Sequence, residues 1–247
     1  QIAASGKKVL FVATKKQARD IVSKAALSVG MPFVVDRWLG GMMTNFSTIR
    51  KSVKKMQTID TMLADTTLTS VTKKEKLTLT RERNKLERVL GGIANLNRLP
   101  GAIFIVDIGH EHIALAEATK LGMRTFGMVD TNSDPNIVDY AIPANDDASK
   151  SISIVVNYMV EAIQEGLKEG AKEVINKWMA QGIYVIIWTC RNESTQYEAE
   201  AFLKKHRINY DKINEQSVYT HQEWPNSGNK VYADIYIDDK SPTYILS

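Results

Sequence analysis

The feature that most constrains the fold is a repeated alternation of short apolar segments with amphipathic ones. Residues 8–14 (KVLFVAT) have the pattern of a buried strand, and residues 32–36 (PFVVD) have that of a second one. Between them, apolar side chains recur at helical spacing up to Gly30, a residue suited to a left-handed helix end. Thr14 and the three residues after it fit a capping box. This strand–helix–strand unit predicts parallel pairing.

The same alternation resumes after residue 100. Strands are predicted at residues 102–107 (AIFIVD), 124–130 (RTFGMVD) and 140–143, with helices at 112–121 and 149–167. The predicted fold class is therefore α/β, with a Rossmann-like, doubly wound parallel sheet.

Residues from about 47 to 93 have a different texture. Ile49, Val53 and Met56 recur at helical spacing, and Leu79 and Leu86 continue the pattern seven residues apart. Narrow apolar seams on two long polar helices predict a projecting helical-hairpin, or coiled-coil, insertion.

Composition excludes several classes of protein. The apolar runs are too short to cross a bilayer, so no membrane partner is expected. The single cysteine, Cys190, rules out an internal disulfide framework and fits a cytoplasmic location.

Charge is unevenly distributed along the chain. Residues 1–100 carry 19 Lys and Arg against 7 Asp and Glu, whereas residues 101–167 carry 3 against 10. Residues 168–247 are nearly balanced, with 10 against 11. This asymmetry favours a partner that is a polyanion, although solvated helix faces also produce basic stretches.

Motifs for catalysis or for a cofactor are missing. No G-x-G-x-x-G follows a strand, and no G-x-x-x-x-G-K-[ST] occurs. His110 and His112 lie two residues apart with no third ligand nearby, so a metal site is not expected. Asp146 and Asp147 are interpreted as helix-start carboxylates that favour the positive end of the dipole. The sequence predicts no enzyme activity, no cofactor and no metal.

The segment RWLGGMMTNF at residues 37–46 combines cations, aromatic rings and paired glycines. Cations bind phosphates, glycines allow close backbone approach, and exposed planar groups stack on bases, so the segment suits RNA. The alternative is a structural loop in which Trp38 and Phe46 fill the base of the hairpin.

Three runs of sequence resemble the bacterial ribosomal protein S2 family, whose members are the second protein of the small subunit. They are FVATKKQARDIV, MPFVVDRWLGGMMTNFSTIRKS and the long run from LPGAIFIVD to NDDASKSI. The resemblance covers roughly residues 1–167, and RWLGG-x-x-TNF together with VDTN-x-DP is highly specific.

The resemblance implies a structural component of the small ribosomal subunit that binds small-subunit rRNA and supports translation without catalysis. It also implies contact with neighbouring ribosomal proteins, including the large first protein of the small subunit. The family's usual N-terminal segment, with a G-x-H-F-G-H motif, is missing, so a truncated chain is expected. The candidate rRNA-binding residues are Lys15, Lys16, Arg37, Trp38, Asn45, Thr48, Arg50, Lys51, Lys54 and Lys55.

Residues 168–247 resemble a C-terminal fragment of a haloacid-dehalogenase-type (HAD-like) phosphatase instead. The resemblance rests on IIWTCR, EAEAFLKKHRI and KVYADIYIDDKS. The apolar pattern predicts a second α/β series here, with helices at 171–180 and 198–205 and strands at 182–189 and 230–238, and the resemblance implies that this series is a partial HAD-like segment. The motif remnants for phosphate or Mg²⁺ are Thr189, Lys230, Asp238 and Asp239.

A Mg²⁺-dependent phosphatase is thus the alternative function. It is disfavoured because no nucleophilic D-x-D motif occurs in residues 1–170. Two domains are expected, 1–167 and 168–247, joined near residues 166–170. A natural fusion, an assembly error and a designed chimera all remain open as the origin of this join.

Overall fold

The computed structural model describes residues 1–64, 73–187, 193–213, 235–236 and 245–246. The chain divides into two compact units, Gln1–Lys168 and Glu169–Ser247.

The first unit is built on a five-stranded parallel sheet. Its strands are β1 (Val9–Val12), β2 (Phe33–Val34), β3 (Ala102–Ile105), β4 (Arg124–Val129) and β5 (Tyr140–Pro143). The strand order is β2-β1-β3-β4-β5, and every neighbouring pair is parallel. The predicted α/β class with a parallel sheet is confirmed.

Five helices accompany these strands in chain order. They are α1 (Lys16–Ser28), α2 (Phe46–Ala64), α3 (Lys73–Leu90), α4 (His112–Lys120) and α5 (Ser149–Ala180). Short 3-10 turns occur at Gly91–Ile93 and Pro135–Ile137. Gly30 follows α1 with a φ of 60°, a left-handed conformation that costs glycine nothing, so the predicted helix end is confirmed.

The sheet buries both of its faces, because successive strand side chains point to opposite sides. Phe11 and Phe104 lie in one core together with residues of α1 and α5, and their rings meet edge to face at 5.4 Å. Leu10 and Ile103 lie in the other core, with α4 and the residues between β2 and α2. Burial on both faces explains why β1 and β3 are continuous apolar runs.

Helices α2 and α3 pack against each other. Ile49, Val53, Met56 and Ile59 form the buried stripe of α2. Two ion pairs cross between the helices, from Lys55 to Glu82 and from Arg83 to Asp60.

The sequence predicts separate helices at 149–167 and 171–180, and this is wrong, because α5 is one helix of 32 residues. Glycine weakens a helix by about 1 kcal/mol relative to alanine but does not break it, so Gly166 and Gly170 sit inside α5.

The second unit contains α6 (Glu193–Lys205), β6 (Ile186–Ile187) and β7 (Lys212–Ile213), with β6 and β7 parallel. Ala199, Leu203 and Ile213 form its small core. An antiparallel pair, β8 (Ile235–Tyr236) and β9 (Ile245–Leu246), is also present. In the part of the chain that the structure describes, no helix has both the length and the apolarity that crossing a membrane requires.

Candidate nucleic-acid interface

The carboxyl ends of β1, β2 and β3 meet at one edge of the sheet. The segments that follow these strands line one open cavity of about 580 Å³. This is the edge at which open α/β sheets commonly bind ligands, beside the point where the strand order reverses. The lining residues are Thr14, Lys15, Lys16, Gln17, Arg19, Asp36, Arg37, Trp38, His110, Glu111 and Ile113.

The loop between β2 and α2 is fixed by one buried carboxylate, that of Glu117 on α4. Its Oε1 accepts from the Trp38 indole at 3.0 Å and from the Gly41 amide at 2.7 Å. Its Oε2 accepts from the amides of Met43 and Thr44, both at 2.9 Å, and from the Thr44 hydroxyl at 3.0 Å. Five donors from the loop therefore converge on one side chain.

These donors also hold Glu117 in its charged form. Burial alone raises the pKa of a carboxyl, but the hydrogen bonds from Thr44, Trp38, Met43 and Gly41 together outweigh it. The pKa of Glu117 is consequently lowered. The carboxylate stays ionised at neutral pH and acts as the internal anchor of the loop.

The expectation that Trp38 stacks on RNA is corrected by this arrangement. Only 7% of Trp38 is exposed, and its indole N–H is already used by Glu117. Trp38 belongs to a buried core with Met42 and Met43, and Phe46 packs against the same core. The structure agrees with the alternative interpretation, a structural loop in which Trp38 and Phe46 fill the base of the hairpin.

Lys15 also differs from its predicted role. Its Nζ lies 2.5 Å from Asp107 Oδ2, 2.7 Å from Asp146 Oδ1 and 2.7 Å from Asp147 Oδ1. Burial lowers the pKa of Lys15, but the hydrogen bonds to these three carboxylates outweigh it and raise the pKa above its usual range. Three negative charges surround one positive charge, so Lys15 holds the sheet edge together and is not free to bind phosphate.

The interpretation of Asp146 and Asp147 as helix-start carboxylates needs correction as well. Helix α5 begins later, at Ser149, and Asn145 accepts hydrogen bonds from the amides of Asp147 and Ala148. Asp146 is 1% exposed, and its Oδ2 has no hydrogen-bond partner among the described residues. Burial and the neighbouring Asp107 raise the pKa of Asp146, whereas its contact with Lys15 lowers it, and the net shift is upward.

Thr14 does not cap α1 as the sequence predicts. Its amide and hydroxyl both donate to Glu111 Oε1, at 2.7 and 2.6 Å. The N-cap position is occupied by Lys15, which makes no side-chain cap hydrogen bond. Glu111 is buried, and its carboxylate accepts both Thr14 donors in charge-assisted hydrogen bonds that tie the end of β1 to the start of α4.

Arg50 and Lys55 are used within the fold. Arg50 donates to the carbonyl of Leu96 at 2.9 Å and to that of Ala94 at 3.4 Å, which ties α2 to the segment after the 3-10 turn. Lys55 pairs with Glu82 across the two helices. Both residues hold α2 against neighbouring segments, so Arg50 is not available to bind phosphate.

Four of the predicted cations remain exposed and make no ion pair or hydrogen bond with any residue that the structure describes: Lys16, Arg37, Lys51 and Lys54. Lys16 and Arg37 line the cavity at the sheet edge, and Lys51 and Lys54 lie three residues apart on α2. Asn45 and Thr48 are exposed, and the Thr48 hydroxyl donates to Asn45 Oδ1 at 2.9 Å, so the two side chains bond to each other at the start of α2.

His110 and His112 are both exposed. Among the described residues, no three His, Cys, Asp or Glu side chains are grouped so as to hold a metal ion. The four residues predicted as phosphate or Mg²⁺ remnants lie outside the described residues: Thr189, Lys230, Asp238 and Asp239.

Sequence reasoning missed Glu117 and Glu111. Glu117 has apolar or small neighbours in α4, such as Ala114, Leu115 and Ala118, which are buried. A carboxylate in an otherwise buried helical stripe is the signal that could have found it, because such a group needs several donors.

Comparison with known proteins identifies relatives for the first unit. The family described as ribosomal protein S2 matches residues 1–166. The chain is 57% identical over 180 residues to small ribosomal subunit protein uS2 of Parabacteroides distasonis, covering 73% of this chain and 65% of that protein.

Two further relatives carry the same name. That of Porphyromonas gingivalis is 59% identical over 164 residues, covering 66% of this chain and 58% of the relative. That of Cytophaga hutchinsonii is 58% identical over 172 residues, covering 70% and 68%. The chain spans 65% and 58% of the length of the first two relatives. None of these matches supports the haloacid-dehalogenase-type resemblance of residues 168–247.

Proposed function

Because this chain belongs to the ribosomal protein S2 family, we propose that it is a structural, non-catalytic constituent of the small ribosomal subunit that binds small-subunit rRNA. The observation that carries the proposal is the family match over residues 1–166. The relatives named above are small-subunit proteins, and the matched part of the chain is the sheet with its helices.

The exposed cations support the proposal independently of the family. Polyanions are bound by cations that are free to exchange their counterions for phosphates. Lys16, Arg37, Lys51 and Lys54 meet that requirement, whereas Lys15 and Arg50 are neutralised or bonded inside the fold. The interface that we propose therefore contains fewer cations than the sequence predicts.

We also propose that α2 and α3 form the projecting helical hairpin expected of the family and present Lys51 and Lys54 to RNA. The partners would include neighbouring small-subunit proteins, among them the large first protein, in the cytoplasm. Within this proposal, residues 1–167 are the rRNA-binding domain. The phosphatase alternative for residues 168–247 stays a prediction, disfavoured by the missing D-x-D motif.

A salt titration of rRNA binding tests the interface. The triple variant Arg37→Ala, Lys51→Ala, Lys54→Ala should bind small-subunit rRNA more weakly and with a shallower dependence of log K on log salt, by about one unit for each phosphate that the variant no longer neutralises. The matched control removes three exposed cations elsewhere in the first unit, Lys24, Lys120 and Arg124. Equal weakening by both triple variants would contradict the proposed interface.

A further inference from the structure

We propose that the cavity at the carboxyl ends of β1, β2 and β3 binds a single unpaired nucleotide, with its phosphate at Lys16 and Arg37 and its base against His110 and Ile113. This inference rests on the proposed function and narrows it, because it states which form of RNA the sheet edge recognises. The charge, the size and the lining of the cavity all support it.

The exposed cations that line the cavity favour a ligand with negative charge. Of the lining residues, Arg19 and Asp36 pair with each other at 3.1 Å, and Asp36 also pairs with Arg88. Glu111 is buried and accepts hydrogen bonds from Thr14, and Lys15 is surrounded by three carboxylates, of which those of Asp107 and Asp146 are buried. The two lining charges left without a partner among the described residues are both positive, those of Lys16 and Arg37.

The size of the cavity and its other lining side chains favour a nucleotide over a bare phosphate. A cavity of about 580 Å³ lies within the range that holds small organic ligands and cofactors. His110 and Ile113 are exposed, and 46% of Ile113 is accessible. A planar ring and an apolar side chain beside two cations suit a base attached to its phosphate.

The position in the fold favours the same ligand. Open parallel sheets bind nucleotides outside the carboxyl ends of their strands, where the strand order reverses, and here that point lies between β1 and β3. Thr14–Lys15–Lys16 replaces a glycine-rich loop there, so a side-chain cation stands where a phosphate-binding backbone is usual. A duplex has no unstacked base to enter the cavity, whereas a bulged strand does.

Two RNAs test the inference with the full chain: a short stem–loop with one bulged adenosine, and the same stem–loop fully paired. The full chain should bind the bulged RNA about tenfold more tightly, the effect of stacking one base. Ile113→Trp, which fills the cavity without changing charge, should reduce binding of the bulged RNA to the level of the paired RNA. The matched control is Ile137→Trp, an exposed isoleucine that lines another cavity, and it should keep the preference.

Titration with AMP separates the two sources of a nucleotide. Displacement of the bulged RNA by AMP, but not of the paired RNA, supports the inference without relying on a variant. AMP binding without a bulge preference overturns the RNA-specific inference and assigns the cavity to a free nucleotide. Equal, salt-sensitive binding of both RNAs with no effect of AMP overturns the inference and leaves the proposed function standing. Failure to bind either RNA or AMP overturns the inference, whereas the proposed function falls only if small-subunit rRNA is not bound in the salt titration either.

Discussion

Trp38 donates its indole N–H to the carboxylate of Glu117 at 3.0 Å, across 79 positions of sequence. That bond joins the loop after β2 to α4, and four further donors from the same loop strengthen the connection. The most distinctive segment of the sequence is therefore shaped by a residue outside it. Arg37 is exposed to solvent because the residue that follows it, Trp38, is held in the core.

Replacing Glu117 with Gln should destabilise the protein by about 2–4 kcal/mol. The amide NH₂ of glutamine is a donor and would face other donors, which leaves buried amides of the loop unpaired. Urea unfolding of the two proteins measures the change. Glu161→Gln, an exposed acid on α5, is the matched control and should stay within about 0.5 kcal/mol of the parent chain. Equal midpoints for Glu117→Gln and the control would contradict the anchoring role.

The same anchor predicts how stability varies with pH. The pKa of Glu117 is lower in the folded state than in the unfolded chain, where it is about 4.3. Its contribution is therefore fully present above that unfolded value and is lost as the pH falls through the folded pKa. The stability difference between the parent chain and Glu117→Gln should narrow below about pH 4. A difference that stays constant down to strongly acidic pH would show that the ionised carboxylate is not the source.

Lys15→Met should cost about 3 kcal/mol of stability, because it leaves Asp107 and Asp146 buried without their cation. Lys16→Met changes an adjacent but exposed lysine and should cost less than about 0.5 kcal/mol. Thermal unfolding distinguishes them. The result that opposes this role is a Lys15→Met protein as stable as Lys16→Met, since Lys15 would then be an ordinary surface cation.

Gly92→Ala should lower the free energy of unfolding by about 1–3 kcal/mol, and the melting temperature should fall with it. A Cβ at Gly92 would lie 2.2 Å from the Phe33 carbonyl oxygen, a backbone atom that cannot move aside. Gly40→Ala is the control, because a Cβ there meets nothing within 4 Å. Melting curves that coincide for the two variants would show that the 3-10 turn does not pack closely on β2.

The strands of the sheet could be predicted because each is marked by its own short stretch of sequence. β1, β3 and β4 are apolar runs bounded by polar residues, and Gly30 marks the end of α1 by its own conformational freedom. The continuity of α5 could not be predicted from Gly166 and Gly170 alone, because packing decides whether a helix continues through a glycine.

The candidate interface was only partly predictable, because free and occupied cations look alike in a sequence. Lys15 and Lys16 are adjacent, yet of these two only Lys15 meets distant carboxylates among the described residues, such as that of Asp146, 131 positions away. Arg50 and Lys51 are likewise adjacent, and of these two only Arg50 donates to described carbonyls after the 3-10 turn. These differences arise from tertiary contacts that a single sequence does not display.

Co-sedimentation with small ribosomal subunits depleted of their own S2-family protein tests the central claim most directly. The labelled full chain should migrate with the subunits in a sucrose gradient at near-equimolar occupancy, and unlabelled chain should compete with it. The triple variant at Arg37, Lys51 and Lys54 should be released at lower salt than the control triple variant. A chain that remains at the top of the gradient at every salt concentration, while still folded, would contradict the assignment to the small subunit.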